Sequence, residues 1–511
     1  MRTAFADFLR RSALISVAAL ALMWPAAFNG GPFFTTDSIA YIRGPDQAII
    51  KLFGPGRGTL WSVKPLGMGF RGGVPTRSAE EAARSPPMAG RSIYYGVLAN
   101  LGARTGGFWA TIAAQAVAAA FALHLLCTAL GWRRASSYLI AVAMAALATP
   151  LGFFVSCLMP DVWAPILILV AAALAAGGER LSRDELIMAF LLLAFAAAAH
   201  TTHMLLLAAI AAAGGLLFAL RGRLRFRLGA PGMMAGFALA ALAIGAISVV
   251  AFNLAVTRIY HAPPVQAPFL TARLVGDGRP GEAWLRRHCP ASGFQACAYV
   301  SRLPMTTDDF LWSTEPSRSV FWTASPSQRA ALGAEQFRFA ASVLRDDPTG
   351  VVRQFAADAA SQFADIGLSD FNHTDRIRGY IGAWMVGPDA KVWRASMAYR
   401  QAWPISLLDG IETVSLAVGL GGLVLLGAWP RGPGRLRADD ERTRILLAGF
   451  VIIVALAANA AICGGLSDIY GRYQARVTAP LILIGLIALW RFGSSAIGRR
   501  QRAHAGGPAR A

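Results

Sequence analysis

Charge is what this chain has least of. Asp, Glu, Lys and Arg make up 15% of its 511 residues, against roughly 25% in ordinary globular domains. With 55% hydrophobic residues and a mean hydropathy of +0.48, that scarcity excludes an ordinary soluble protein. Acidic residues are scarcer still, 28 against 48 basic ones, for a net charge of +20. Such an excess would suit nucleic acid, but much of the Arg sits in short clusters between apolar runs, as at Arg133-Arg134 and at Arg221, Arg223, Arg225 and Arg227. Polytopic proteins set their orientation this way, with basic residues in the inner loops. The partner implied is membrane lipid, not nucleic acid.

Several motifs are missing as well. No GxxxxGK[ST] loop occurs, so direct ATP drive is unsupported, and without HExxH or GxSxG two common hydrolase readings lose their simplest evidence. No repeat of solenoid length is present. Cysteine is sparse: Cys127, Cys157 and Cys463 lie in or beside apolar runs without metal-ligand spacing and read as core residues. Cys289 and Cys297 fall close together in the one long polar region, where an extracytoplasmic setting would let them form a disulfide.

What is present is a series of apolar runs. They predict an all-α polytopic membrane protein of about ten transmembrane helices. The runs cover about 12–28, 107–131, 136–153, 161–177, 186–199, 201–220, 233–256, 405–428 and 445–463, with a last one ending near Trp490. The first has the charged start and small residues of a signal peptide but continues through Trp24-Pro25, long enough to span. The basic clusters then put both chain ends inside. Residues 1–256 form an N-terminal transmembrane module with a long outer loop at 29–92. Residues 257–403 form a small, mostly helical extracytoplasmic domain, 404–495 a C-terminal transmembrane module and 496–511 a basic inner tail.

That orientation gathers the chemically interesting residues on the outer face. Asp37 follows the first span in Gly30-Gly31-Pro32-Phe33-Phe34-Thr35-Thr36-Asp37-Ser38-Ile39-Ala40-Tyr41. Thr35 or Thr36 can cap a helix there, with Asp37 in its first turn and Tyr41 on the same face. Asp161 follows Pro160 at the start of the fourth span, either as a carboxylate favoured by the helix dipole or as a second acid that organises a metal ion or an acceptor hydroxyl. His200 and His203 are spaced as half a metal site or as a hydrogen-bonded turn. Arg472 and Arg476, four apart beside Tyr473, make a guanidinium fork suited to a phosphate or to headgroup anchoring, and Asp468 is placed to pair with one of them. Lys64 and Arg71, among the Gly and aromatic residues of Ile49–Arg77, suit the headgroup zone.

A carboxylate in the first outer loop (Thr36-Asp37-Ser38 with Tyr41), an acid at the next outer turn (Met159-Pro160-Asp161) and an Arg-Tyr element before a late span (Gly471-Arg472-Tyr473) together resemble the GT-C superfamily, polytopic glycosyltransferases that use polyprenyl-phosphate-linked sugars. The likeness covers the first five spans and one late loop. It implies an enzyme of the inner membrane with its active face outward, passing a sugar with inversion to a glycan or lipid acceptor. Asp37 would be the base and Asp161 a second catalytic acid; Arg472 and Arg476, with Lys64 or Arg71, would hold the donor phosphate. Tyr41, His200, His203 and Tyr473 would line the acceptor side, and a divalent metal stays open. The rival readings are a transporter or flippase for a lipid-linked or anionic substrate, and a non-catalytic subunit of envelope assembly.

Overall fold

Among the described residues all regular structure is helical, and the β pairing seen there is two isolated bridges, Phe33 with Cys157 and Met88 with Val265. The computed structural model describes residues 2–59, 61, 86–105, 107–220, 230–313, 315–385, 387–428 and 441–505, with the backbone alone at 2–8, Pro55 and 492–505. Its N-terminal helices are α1 (Arg2–Leu22), α2 (Trp24–Asn29), α3 (Thr36–Phe53), α4 (Ile93–Thr105), α5 (Trp109–Leu130), α6 (Ala135–Ala148), α7 (Leu151–Val155), α8 (Trp163–Gly177), α9 (Arg183–Ala199), α10 (Thr201–Leu220) and α11 (Ala230–Tyr260). The polar region holds α12 (Phe269–Val275), α13 (Pro280–His288), α14 (Thr307–Trp312), α15 (Pro326–Asp346), α16 (Pro348–Ala364), α17 (Asp375–Trp384) and α18 (Gly387–Ala395). The chain then continues through α19 (Ile405–Ala428), α20 (Glu441–Leu466) and α21 (Gly471–Ala505).

Among the described residues seven helices are long and apolar enough to cross a membrane: Trp109–Leu130, Pro160–Arg180, Thr201–Leu220, Ala230–Tyr260, Ile405–Ala428, Glu441–Leu466 and Gly471–Arg491. The expected first, third and fifth spans are not among them, each for a local reason. Helix α1 carries Arg2, Asp7, Arg10 and Arg11 in its first half. The third run is two helices, because Pro150 pushes Thr149 into extended backbone and α6 stops after 14 residues. Helix α9 has 17 residues, with Arg183, Asp184 and Glu185 in its first turn.

The axis of the bundle is α8, in which every residue from Trp163 to Gly177 is buried. A helix apolar on all sides belongs in the middle of its neighbours, and α8 packs against α5, α9, α11, α20 and α21. Small residues allow close approaches elsewhere: Gly485 of α21 lies against the backbone of Gly419 in α19, with no room for a Cβ at Gly485.

The polar region divides between two cores. Residues from Ala267 to Val343 enclose their own apolar centre around Trp284, Phe294, Phe310, Phe321 and Phe339. A disulfide joins Cys289 to Cys297, with the Cα atoms 5.4 Å apart. Residues from Leu368 to Trp403 instead pack into the core of the helical bundle. The segment before α3 ties the two parts together. Phe33 N–H donates to the Ser156 carbonyl at 2.9 Å and Leu158 N–H to the Phe33 carbonyl at 3.0 Å. Asn29 Oδ1 accepts from Ala398 N–H at 2.9 Å and from the Trp403 indole at 3.2 Å. The Phe34 carbonyl takes a hydrogen bond from His373 Nε2 at 2.9 Å.

Candidate functional site

That tethering decides where Asp37 points. Thr35 is the N-cap of α3 and its N–H donates to Ser38 Oγ at 2.8 Å, which sets Asp37 in the first turn. Tyr41, one turn on, is buried and packs edge-on against Tyr95 with ring centroids 5.0 Å apart. Asp37 Oδ1 accepts from Arg91 Nη2 at 2.6 Å. Its side chain keeps 31% of its exposure, while that of Arg91 keeps 18%. The Arg91 guanidinium also faces the Trp312 ring at 5.8 Å. Ser92 next to it donates to the Ala198 carbonyl at 2.6 Å, fixing this turn beside the end of α9.

Asp161 is different in kind. It is 3% exposed, and Phe33, through the bridge to Cys157, holds its turn against the approach to α3. Arg476 Nη1 donates to Asp161 Oδ1 at 2.5 Å, and Arg472 Nε lies 3.4 Å from Oδ2. Arg472 Nη1 also lies 3.2 Å from Asp370 Oδ2, and Arg476 Nη2 donates to Asn459 Oδ1 at 3.1 Å. Both guanidinium groups lie over Tyr473, 5.5 and 5.3 Å from its ring centroid. Three carboxylates (Asp37, Asp161, Asp370) thus meet three guanidinium groups (Arg91, Arg472, Arg476) at one end of the bundle. Tyr41 is within electrostatic reach of Asp37, Arg91, Asp161 and Tyr473. Burial is the main influence on its phenol and pushes the pKa up, with Arg91 opposing it, so the hydroxyl keeps its proton.

His200 lies within electrostatic reach of Asp161, Arg472, Arg476 and Arg91. Its Nδ1 accepts from Thr202 N–H at 3.2 Å, an arrangement that caps α10. His203 Nδ1 bonds the Ala196 carbonyl at 2.9 Å, while its buried Nε2 has no hydrogen-bond partner among the described residues. Among the described residues no three His, Cys, Asp or Glu side chains gather so that they could hold a metal ion. Asp161 turns Oδ1 toward Arg476 and Oδ2 toward Arg472.

The structure therefore brings together Asp37, Tyr41, Asp161, His200, His203, Arg472, Tyr473 and Arg476. Lys64 and Arg71 lie outside the described residues. Asp468 does not pair with Arg472 or Arg476: Arg273 of α12 reaches it at 3.1 Å, while burial, the largest influence, pushes its carboxyl up. Sequence reasoning missed Arg91, Asp370 and Asn459. Arg91 had a usable signal, a basic residue next to the helix that precedes the span at Trp109–Leu130. Asp370 and Asn459 had none, because only packing turns them toward the arginines. The chain matches no family model, no curated protein and no solved structure.

Proposed function

We propose that this protein is a membrane glycosyltransferase that moves a sugar from a polyprenyl-phosphate donor to a hydroxyl of a cell-envelope acceptor. The reading rests on one observation: Asp37, partly exposed and paired with Arg91, stands beside two arginines whose own counter-charge, Asp161, is sealed from solvent. The finer topology belongs to the same reading. The runs at α1–α2, α6–α7 and α9 complete ten spans, both ends lie inside, and the site faces outward from the inner membrane.

In this scheme each ion pair has its own task. Asp161 keeps Arg472 and Arg476 aimed and does not itself move a proton. Asp37 occupies Arg91 until the donor arrives. A phosphate diester placed among Arg91, Arg472 and Arg476 then competes for Arg91 and releases the carboxylate. A carboxylate in the first turn of a helix and paired with Arg is a weak base; losing its partner to the phosphate raises its basicity when it is needed. The acceptor oxygen attacks the anomeric carbon as the bond to the phosphate oxygen breaks. The electron pair leaves with the polyprenyl phosphate, the hydroxyl proton goes to Asp37, and the configuration inverts. Pre-aimed guanidinium groups stabilise the charge that grows on the leaving phosphate. The test is an Asp37→Asn variant assayed with polyprenyl-phosphate sugars in lipid. Loss of transfer with at most a small drop in melting temperature is expected, and near-normal transfer would remove Asp37 as the base.

A further inference from the structure

Helix α16 belongs to the polar region, yet it packs against α20, a candidate membrane span. The contact is close because Gly464 and Gly465 have no side chains: a Cβ on Gly464 would lie 2.5 Å from the Asp358 carbonyl, and one on Gly465 would strike the Phe355 ring. The buried polar groups of α16 turn to that seam or to the domain. Asp358 meets Arg273 at 3.0 Å and Arg279 at 3.1 Å, and Gln362 Nε2 donates to the Tyr470 carbonyl at 2.9 Å.

Directly beside the seam the helix is apolar and uncovered. Val352, Phe355, Ala356, Ala359 and Phe363 fall within about 100° of its circumference, given 3.6 residues per turn. Val352 is 62%, Phe355 40% and Phe363 48% exposed. An exposed stripe of this kind on an aqueous domain is unfavourable; on a helix packed against a candidate span it matches the exposed apolar residues of that span, Phe450 and Ile453. The acids near it are engaged: Asp346 with Arg287 at 2.7 Å, and Asp347 Oδ1 with the Gly350 N–H at 2.8 Å. Arg345 and Arg353 are exposed.

From this we infer that α16 is sunk along its length in the leaflet around the Leu466 end of α20. Val352, Phe355 and Phe363 lie among the acyl chains, and Arg345 and Arg353 reach the headgroup phosphates. The occupant of the stripe is lipid because the helix that carries it packs against a candidate membrane span whose own exposed residues are apolar. The polar region is thereby held to the bilayer by a helix of its own as well as by the spans that flank it. The inference needs neither the transferase chemistry nor an assignment of inside and outside.

The test uses the full chain in nanodiscs of phosphatidylethanolamine and phosphatidylglycerol. A nitroxide is attached at Val352→Cys, Phe363→Cys or Arg353→Cys, one at a time; Cys127, Cys157 and Cys463 are buried, and the labelled parent serves as the blank. Labels at 352 and 363 should be relaxed several-fold more by oxygen, which concentrates in lipid, than by a water-soluble nickel chelate, and the label at 353 should show the opposite order. Nickel access at 352 and 363 equal to that at 353 would put the stripe in water and overturn the inference. Low access to both reagents would overturn it too, by showing the stripe covered by protein, either a second copy of the chain or another partner. All three substitutions are at exposed positions, and a monodisperse elution profile checks the fold independently of any activity.

Discussion

Arg476 and Asp161 stand 315 residues apart in sequence and meet at 2.5 Å in the interior of the bundle. Each is 3% exposed, and Arg472 closes the other side of the carboxylate. This triad, more than any run of sequence, gives the candidate site its shape.

Removing the shared carboxylate leaves Arg476 in a dry setting without its counter-charge and Arg472 with Asp370 alone. Asp161→Ala should therefore destabilise the fold by about 3–5 kcal/mol, the range for breaking a buried ion pair on one side. Denaturation in detergent would read this directly. In a double-mutant cycle, Asp161→Asn and Arg476→Met should be strongly non-additive; additive losses would mean that the pair is not coupled.

The Asp37–Arg91 pair predicts the opposite balance. It is partly exposed, so Asp37→Asn and Arg91→Gln should each cost about 1 kcal/mol of stability or less. Under the proposed chemistry, Asp37→Asn should lower transfer by about 100-fold or more, the scale of a lost general base. Arg91→Gln should weaken binding of polyprenyl phosphate. Binding unaffected by Arg91→Gln would take that arginine out of the phosphate site.

His373 gives the fold a pH dependence. Its Nε2–H donates to the Phe34 carbonyl and its Nδ1 accepts from the Trp393 indole at 3.2 Å, so both ring nitrogens are committed to the neutral form. Burial pushes the imidazole down to about 4, with the Phe34 hydrogen bond opposing it. A base that is harder to protonate when folded gives its full stabilisation above its unfolded pKa of about 6.5 and loses it as the pH falls from there toward the folded value. Going from pH 7.5 to pH 5 should cost up to about 2 kcal/mol through this residue. A His373→Asn variant should be less stable at pH 7.5 but show a shallower decline below pH 6.5; parallel curves would assign the pH dependence to other groups.

The seam between α19 and α21 predicts a steric effect. Gly485→Val would put a branched side chain against the Gly419 backbone, where no Cβ fits. Overpacking of this sort costs about 1–3 kcal/mol or more. Gly427→Val, where an added Cβ meets no described atom within 4 Å, should leave thermal stability close to that of the parent. Equal melting temperatures for the two variants would show that the seam is not closed.

Much of the fold was legible before packing was known, because a helix in an apolar run is a local matter. The runs at 107–131, 405–428 and 445–463 correspond to α5, α19 and α20, and Thr35 caps α3 with Asp37 in its first turn as its residue types suggest. Local chemistry also explains where the expectation departed: at Thr149-Pro150 the proline outweighs the apolar run around it. The gathering of Asp37, Asp161, Arg472 and Arg476 at one end of the bundle was an expectation from sidedness alone.

Residue order and composition by themselves determined that this chain is helical and membrane-spanning, and where its main apolar segments begin and end. Hydrophobicity and capping act over one or two turns and can be read from neighbours in sequence. Only the tertiary structure decided that Asp37 answers to Arg91, that Asp161 is shared by Arg472 and Arg476, that Asp468 goes to Arg273, and that the polar region is split between two cores. Those pairings join residues tens to hundreds of positions apart, and no periodicity carries them. They exist because α8 is buried on every side and because residues 29–35 are tied to both the Ser156 turn and the His373 loop.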